Sequence, residues 1–168
     1  MELKKIKTQK DIELVKEFFY EIFLEEANYD LIHFKNSVTG KHNFHRLEYY
    51  IGFEKNVPVG VTGIYAQNPD ECWLGWFGIR PEYRGKGYAT AMLDLQLKLM
   101  QDYGYKVCRI YTNKIINKEA VCLYIKKGFR QDSTYCKNII TLSKSLDGIT
   151  APARWKGVPL EFVPEWPV

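Results

Sequence analysis

The sequence lacks a long apolar run. No stretch of its 168 residues approaches the ~20 consecutive apolar residues that a membrane-spanning helix needs. No apolar segment follows the charged start of the chain, Met1–Lys5, so a signal peptide is not expected. We therefore expect a protein without a membrane association.

Cysteine is sparse and is not arranged in pairs. The four cysteines are widely spaced: Cys72, Cys108, Cys122 and Cys136. Because metal-binding cysteines usually occur in closely spaced pairs, this spacing argues against a metal centre. Reduced thiols in the cytoplasm are the default expectation.

Internal repeats and low-complexity linkers are absent as well, and the length suits one domain with a real core. After residue 146 prolines and tryptophans become frequent: Pro152, Pro159, Pro164, Pro167, Trp155 and Trp166. Proline interrupts helices and sheets. We therefore expect one domain over residues 1–146. A tail over residues 147–168 should pack on or beside it, with a homodimer contact as another use.

Charge is distributed unevenly along the chain. Residues 11–30 contain seven Asp or Glu against one Lys, whereas residues 105–144 contain nine Lys or Arg against two acidic residues. Such polarity suits an anionic cofactor on one side and a cationic acceptor on the other. A solvated surface explains the same pattern nearly as well.

Hydrophobic periodicity predicts an α/β (α+β) order of helices and strands. Thr8 is a suitable N-cap for a first helix that runs to about residue 26. Further helices are expected over residues 88–103 and 117–127, and strands over residues 3–6, 47–54, 59–66, 71–79, 107–112, 129–133 and 138–142. Three of these strands follow each other with short turns, which indicates an antiparallel meander. The next strand follows a helix and should lie parallel to the strand before it.

The stretch Trp76–Ala89 joins a strand to a helix through a basic, glycine-rich turn. The first N–H groups of a helix have no internal partner, and the helix dipole makes this end attractive to anions. Gly85 and Gly87 also remove side chains that would hold a phosphate away from the backbone. The stretch therefore predicts a pyrophosphate site, with a plain strand-to-helix turn as the alternative.

Two common phosphate-binding motifs do not fit this turn. A P-loop requires Ser or Thr after Gly-Lys, but Gly87 follows Lys86. A dinucleotide fingerprint requires a third glycine where this chain has Thr90. The pattern Arg84-x-x-Gly87-x-Ala89 instead resembles the acetyl-CoA signature of the GNAT family of N-acetyltransferases.

A second pattern of the same family follows after one predicted strand. It consists of Asn117, Ala120, Leu123, Tyr124, Gly128 and Phe129. The resemblance covers roughly residues 45–145. It implies the GNAT fold, a mixed and mostly antiparallel sheet whose parallel fourth and fifth strands splay apart, flanked by helices. Asn117 also suits the N-cap of the last helix.

The resemblance implies acetyl-CoA as cosubstrate, without a metal. The backbone of Phe77, Gly78 and Ile79 would pair with the pantetheine amides, and an N–H in the same stretch would hold the developing oxyanion. The pyrophosphate would be surrounded by Arg84, Gly85, Lys86, Gly87, Tyr88 and Ala89. Asn117 would lie along the cofactor arm.

Tyr124 matches the position at which the family places its general acid. A tyrosine with a pKa near 10 can protonate a leaving thiolate whose conjugate acid has a pKa of about 8.5. An aromatic side chain packed in the core is the alternative interpretation.

The general base is less defined. Family members place a glutamate at positions that correspond here to Trp73 and Thr112. Glu71 lies on the same strand face as Trp73 and could act through water, while an ordered water chain is the other possibility. Glu26, Asp30 and Trp73 are our candidates for binding the acceptor.

The leading interpretation is therefore an acetyl-CoA-dependent N-acetyltransferase. Its acceptor would be a small cationic amine, with a peptide or protein amine as the second choice. A non-catalytic CoA-binding regulatory module is one alternative. An RNA-directed acetyltransferase is another, because residues 105–144 are basic, although cofactor phosphates explain that charge more simply.

Overall fold

The computed structural model describes residues 1–24 and 31–157. Its centre is a seven-stranded sheet with the order β1-β2-β3-β4-β5-β7-β6. The strands are β1 (Glu2–Lys5), β2 (Arg46–Glu54), β3 (Val57–Ala66), β4 (Glu71–Ile79), β5 (Val107–Asn113), β6 (Arg130–Cys136) and β7 (Ile139–Ser145). The helices are α1 (Gln9–Ile22), α2 (Ile32–Thr39), α3 (Tyr88–Asp102) and α4 (Lys118–Lys126).

The predicted fold class is confirmed, and the predicted elements occur in the expected order, with the unpredicted helix α2 added between α1 and β2. Each of the strands β1 to β4 pairs antiparallel with the next one along the chain, and β4 pairs parallel with β5. The last two strands are longer than the sequence indicated, and β7 lies between β5 and β6. The meander and the helical crossover therefore follow from the sequence, whereas the position of β7 does not.

Helix α1 begins as expected and ends earlier than expected. Thr8 Oγ1 accepts a hydrogen bond from the Asp11 N–H at 3.2 Å, and the Asp11 carboxylate accepts one from the Thr8 N–H at 2.9 Å. This reciprocal pair is a capping box. The helix ends at Ile22, because Phe23 has left the helical conformation, so the predicted end near residue 26 is wrong.

The helices cover both faces of the sheet. The side chains of α3 and α4 pack with β4, β5 and β7 in one apolar cluster that includes Leu93, Tyr124 and Phe129. Helices α1 and α2 pack on the opposite face in a second cluster that includes Phe19 and Trp73. Strand β4 contributes to both clusters, which explains its nearly continuous apolar sequence.

Strands β4 and β5 separate after a short paired stretch. They pair only at Glu71–Val107, Cys72–Cys108 and Trp73–Arg109. Farther along, β4 contains a bulge at Trp76, whose φ of 44° lies in the left-handed region. At Gly78 a Cβ atom would lie 2.2 Å from Ile22 Cγ2, so only glycine lets α1 approach β4 here. The result is a V-shaped opening between two parallel strands.

A polar network centred on Glu48 joins β1 and β2 to the end of α3. The buried carboxylate of Glu48 accepts hydrogen bonds from Lys5 Nζ at 2.7 Å, Arg46 Nη1 at 2.9 Å and the Tyr103 hydroxyl at 2.8 Å. Burial alone would raise the pKa of Glu48, but the hydrogen bonds from Lys5, Tyr50 and Tyr103 outweigh it and lower the pKa. The network therefore holds β1, β2 and the end of α3 together through an ionised carboxylate.

We expect Glu48→Gln to lower the free energy of unfolding by about 2 kcal/mol at pH 7, because it removes the charge that Lys5 and Arg46 share. The folded-state pKa of Glu48 is lowered, so its contribution is present above the ordinary value of 4.5 and is lost as the pH falls below it. Urea unfolding across this range measures both effects.

Asp102→Asn is the matched control, since Asp102 forms an exposed ion pair with Lys98 on α3. It should change stability by less than about 0.5 kcal/mol. Equal losses in the two variants, or a loss in Glu48→Gln that does not depend on pH, would contradict the account of this network.

Candidate active site

The turn before α3 presents unpaired backbone donors. After a 3-10 turn at Pro81–Tyr83, Gly85 and Gly87 adopt φ of 72° and 83°, and Gly87 occupies the N-cap position. The Ala91 N–H donates to the Gly87 carbonyl at 3.1 Å. Consequently the N–H groups of Tyr88 and Ala89, one turn earlier, have no acceptor within the helix. Among the residues that the structure describes, no side chain caps this end.

Two cationic side chains lie beside these donors. Arg84 Nε donates to the Ile79 carbonyl at 2.9 Å, and Lys86 Nζ donates to the Glu82 carbonyl at 2.9 Å. In the described part of the chain neither makes an ion pair. By contrast, Arg80 is engaged by carboxylates, including that of Glu21 at 3.1 Å. The turn therefore combines helix N–H groups with two cations that are not ion-paired, a combination that suits a phosphate anion.

The final residues of β4 lead directly to this turn. Gly78 and Ile79 pair with β3 through Val61 and Gly60. On the other edge, the part of β4 beyond Trp73 pairs with no strand of the described chain. Its N–H and C=O groups are thus available to an extended ligand with amide groups of its own, in the manner of an added strand.

Tyr124 projects from α4 into the apolar cluster beside this edge. Its side chain is 4% exposed, and its ring lies 6.0 Å from Phe77 and 5.9 Å from Phe129, measured between centroids. No group of the described residues hydrogen-bonds its hydroxyl. Burial, followed by the proximity of Cys108, raises the pKa of Tyr124. The hydroxyl therefore stays protonated and can act as a proton donor.

Asn117 precedes α4, but it does not cap the helix with its side chain. It occupies the predicted N-cap position, yet its Nδ2 donates to Thr112 Oγ1 at 3.1 Å instead of its side chain capping the helix. This bond ties the start of α4 to the end of β5. The amide oxygen of Asn117 makes no hydrogen bond within the described residues, which leaves it for a ligand in the V-shaped opening.

Glu71 lies at the closed end of the opening. Its carboxylate is bound by the guanidinium of Arg109, which is only 4% exposed. Arg109 has three further partners: Asp132, Ser143 Oγ at 2.7 Å and the Ala153 carbonyl at 2.9 Å. Glu71 is thereby held in this ion-paired cluster through one of its carboxylate oxygens. Its position supports a structural role more directly than a general base.

Trp73 lies under the C-terminal segment, by which we mean the described residues 147–157. Its ring stacks with Tyr65 at 6.0 Å and meets Trp155 edge-on at 4.8 Å. It is 6% exposed, so it offers an acceptor little surface. The other two acceptor candidates, Glu26 and Asp30, lie outside the described residues.

Comparison with known families decides the identity of this arrangement. Residues 12–129, more than half of the chain, match the acetyltransferase (GNAT) family. The chain belongs to the GNAT family. A comparison of the sequence with curated proteins found no match.

Solved structures share the fold of this GNAT acetyltransferase. One assigned to the same family, from Desulfovibrio desulfuricans, is 14% identical, covers 86% of this chain and 98% of its own, and has a TM-score of 0.73. An aminoglycoside 6'-acetyltransferase type Ii is 13% identical, with coverages of 90% and 100% and a TM-score of 0.71. A GNAT acetyltransferase from Elizabethkingia anophelis with acetyl-CoA bound is 16% identical, with coverages of 86% and 97% and a TM-score of 0.66.

Two further findings bear on the site. Among residues 1–24 and 31–157, no helix combines the length and apolar character needed to cross a bilayer. Within the same ranges, no group of three His, Cys, Asp or Glu side chains is arranged to hold a metal ion.

The sequence did not reveal the Arg109 cluster or the contacts of the C-terminal segment. One feature of the sequence indicates a buried charge, because Arg109 is a charged residue between apolar positions of a strand with helices on both sides. A buried arginine requires paired carboxylates. Which carboxylates these are depends on the strand order, which the sequence does not give.

We expect Arg84→Ala to weaken CoA binding about tenfold at low salt, because it removes a cation beside the phosphate site. The difference from the unsubstituted protein should shrink as salt screens the charge. Calorimetric titration with CoA at two NaCl concentrations measures this. Lys98→Ala, on the exposed far part of α3, is the control and should bind like the unsubstituted protein. A salt-independent loss would place Arg84 outside the phosphate site.

Proposed function

We propose that this GNAT acetyltransferase moves the acetyl group of acetyl-CoA directly to an amine. The observation that carries the proposal is that the required groups, from two stretches of the chain, lie side by side. The open edge of β4 leads into the uncapped start of α3, and Tyr124 packs against Phe77 on that edge. A thioester bound along β4 would thus lie beside a protonated hydroxyl.

The residues present suit the parts of acetyl-CoA. Arg84, Lys86 and the first N–H groups of α3 supply positive charge and donors for the pyrophosphate. The backbone of Phe77–Ile79 supplies hydrogen-bonding groups for the pantetheine amides. Asn117 supplies an amide oxygen beside β5. Bound in this way, acetyl-CoA provides the activated acyl group.

In the reaction, the amine nitrogen bonds to the thioester carbonyl carbon, and the carbon–sulfur bond breaks. A backbone N–H of the bulged β4 stretch would stabilise the negative charge on the carbonyl oxygen. Tyr124 would donate its proton to the departing sulfur. The amine loses a proton, which we assign to ordered water because Glu71 is bound to Arg109. CoA and the N-acetylated product result.

The raised pKa of Tyr124 fits the role of an acid. An ordinary tyrosine is about 1.5 pKa units above a thiol, which corresponds to about 2 kcal/mol of unfavourable proton transfer. Burial increases this mismatch, so proton transfer must accompany cleavage of the carbon–sulfur bond rather than precede it. The same burial keeps the Tyr124 hydroxyl protonated over the whole physiological pH range.

The acceptor is a small amine in this proposal, with a peptide or protein amine next. The structural neighbours include an enzyme that acetylates aminoglycosides. The preference for a cationic acceptor rests on Glu26 and Asp30 and stays a prediction. A cytoplasmic location is supported by the four cysteines, which are all unpaired thiols.

We expect Tyr124→Phe to lower the turnover number by a factor of about 10²–10⁴, because it removes the proton donor while keeping the ring contacts with Phe77 and Phe129. CoA affinity should barely change. Release of the CoA thiol, measured with a thiol-reactive dye over a panel of amines, gives turnover, and calorimetry gives the affinity.

Tyr20→Phe serves as the control, because Tyr20 is exposed on α1. If Tyr124→Phe keeps full turnover, Tyr124 has no part in the chemistry. If the unsubstituted protein binds CoA but acetylates no amine in the panel, the chain functions as a CoA-binding module instead.

A further inference from the structure

A cavity of about 380 Å³ lies between the outer strands of the sheet and the C-terminal segment. It is lined by Ser133, Thr134, Tyr135, Thr141, Arg154, Trp155, Lys156 and Gly157. Its volume is near the lower end for small-molecule sites. It therefore suits a compact chemical group rather than a large molecule.

Fixed contacts build the wall of this cavity. After β7 the chain turns at Asp147, whose Oδ1 accepts from the Ile149 and Thr150 N–H groups at 2.9 and 2.8 Å. Arg109 Nη2 then binds the Ala153 carbonyl at 2.9 Å. Ser133 Oγ donates to the Trp155 carbonyl. Because these contacts come from the sheet itself, the wall has a defined position.

The lining of the cavity is positively charged. Arg154 and Lys156 are exposed on either side of Trp155, and neither makes an ion pair within residues 1–24 and 31–157. No carboxylate is among the lining residues. Thr141 is completely buried, and its Oγ1 has no hydrogen-bond partner in the described chain. Two free cations and an unused hydroxyl donor match an oxyanion.

The cavity lies on the α1 and α2 face of the sheet, near the V-shaped opening. Thr141 pairs with Tyr111 on β5, and Tyr111 is two residues beyond Arg109, where β5 parts from β4. Tyr111 and Trp155 belong to the cluster on the α1 and α2 face, whereas Tyr124 belongs to the opposite cluster. Strands are about 5 Å apart. The cavity is therefore about 10 Å from the opening. It lies on the opposite face of the sheet from Tyr124, the proposed acid.

We propose that this cavity binds an oxyanion of the acceptor, so that the acceptor is a small amine with a carboxylate or phosphate group several bonds away from its nitrogen. The inference rests on the proposed function, since it concerns the substrate of the same site. Arg154 and Lys156 are then specificity-determining residues. They hold the far end of the acceptor while its amine reaches the opening between β4 and β5.

The test uses probes that combine an acetamide with a charged end. In the presence of CoA, 6-acetamidohexanoate is titrated into the ¹⁵N-labelled full chain, beside neutral 6-acetamidohexanamide and anionic 5-acetamidopentylphosphonate. Backbone amide shifts report where each probe binds. We expect the anionic probes to bind about tenfold more tightly than the amide, with shifts at Ser133–Tyr135 and Trp155–Gly157. The two anions show whether carboxylate or phosphate is preferred.

Arg154→Gln and Lys156→Gln, singly and together, should remove this preference and leave CoA affinity unchanged. Lys137→Gln is the matched control, because Lys137 is an exposed cation on the turn between β6 and β7 and does not line the cavity. It should retain the preference.

Equal binding of the three probes, shifts confined to other residues, or no binding of any probe would overturn the inference. The proposed function has a separate readout, the acetylation of hexylamine against 6-aminohexanoate. Hexylamine acetylated as efficiently as 6-aminohexanoate would refute the anion site and still support acetyl transfer. A protein that acetylates neither amine and does not bind CoA would refute the proposed function itself.

Discussion

The separation of β4 from β5 is the constraint on which the rest of this structure depends. Backbone N–H and C=O groups in a sheet normally pair with a neighbouring strand, and unpaired groups inside a protein are costly. Here a central strand leaves its edge open after Trp73. Such an edge is maintained because the surrounding packing holds the strands apart, and a ligand with its own amides can complete the pairing.

Two sets of contacts maintain the opening. On one side, the bulge at Trp76 directs its ring against Phe19 and Phe23, at 5.2 and 5.1 Å between centroids. This anchors the open end of β4 on α1. At the closed end, Arg109 joins the carboxylates of Glu71 and Asp132, so β4, β5 and β6 are fixed just before the strands diverge. The same arginine binds the C-terminal segment, which couples the shape of the opening to the cavity beyond it.

Much of this arrangement could be predicted from the sequence, because local patterns determine it. The glycines, Arg84 and Lys86 indicate an anion site at the turn before α3, and the alternation of helices and strands gives the parallel crossover. What could not be predicted depends on contacts between distant residues. The pairing of Asn117 with Thr112 replaces an ordinary helix cap, and the end of α1 is set by packing of Phe23 on β4. The clusters around Arg109 and Trp155 require the order of β5, β7 and β6 in space.

Native-state hydrogen exchange with and without CoA tests the central claim most directly. We expect the cosubstrate to satisfy the open edge of β4 and the start of α3. CoA should therefore slow exchange at the amides of Phe77 and Ile79 and of Tyr88–Thr90, while the amides of Val57–Ala66 on the paired edge change little. If CoA binds without slowing exchange at Phe77 and Ile79, the opening between β4 and β5 is not the cosubstrate site.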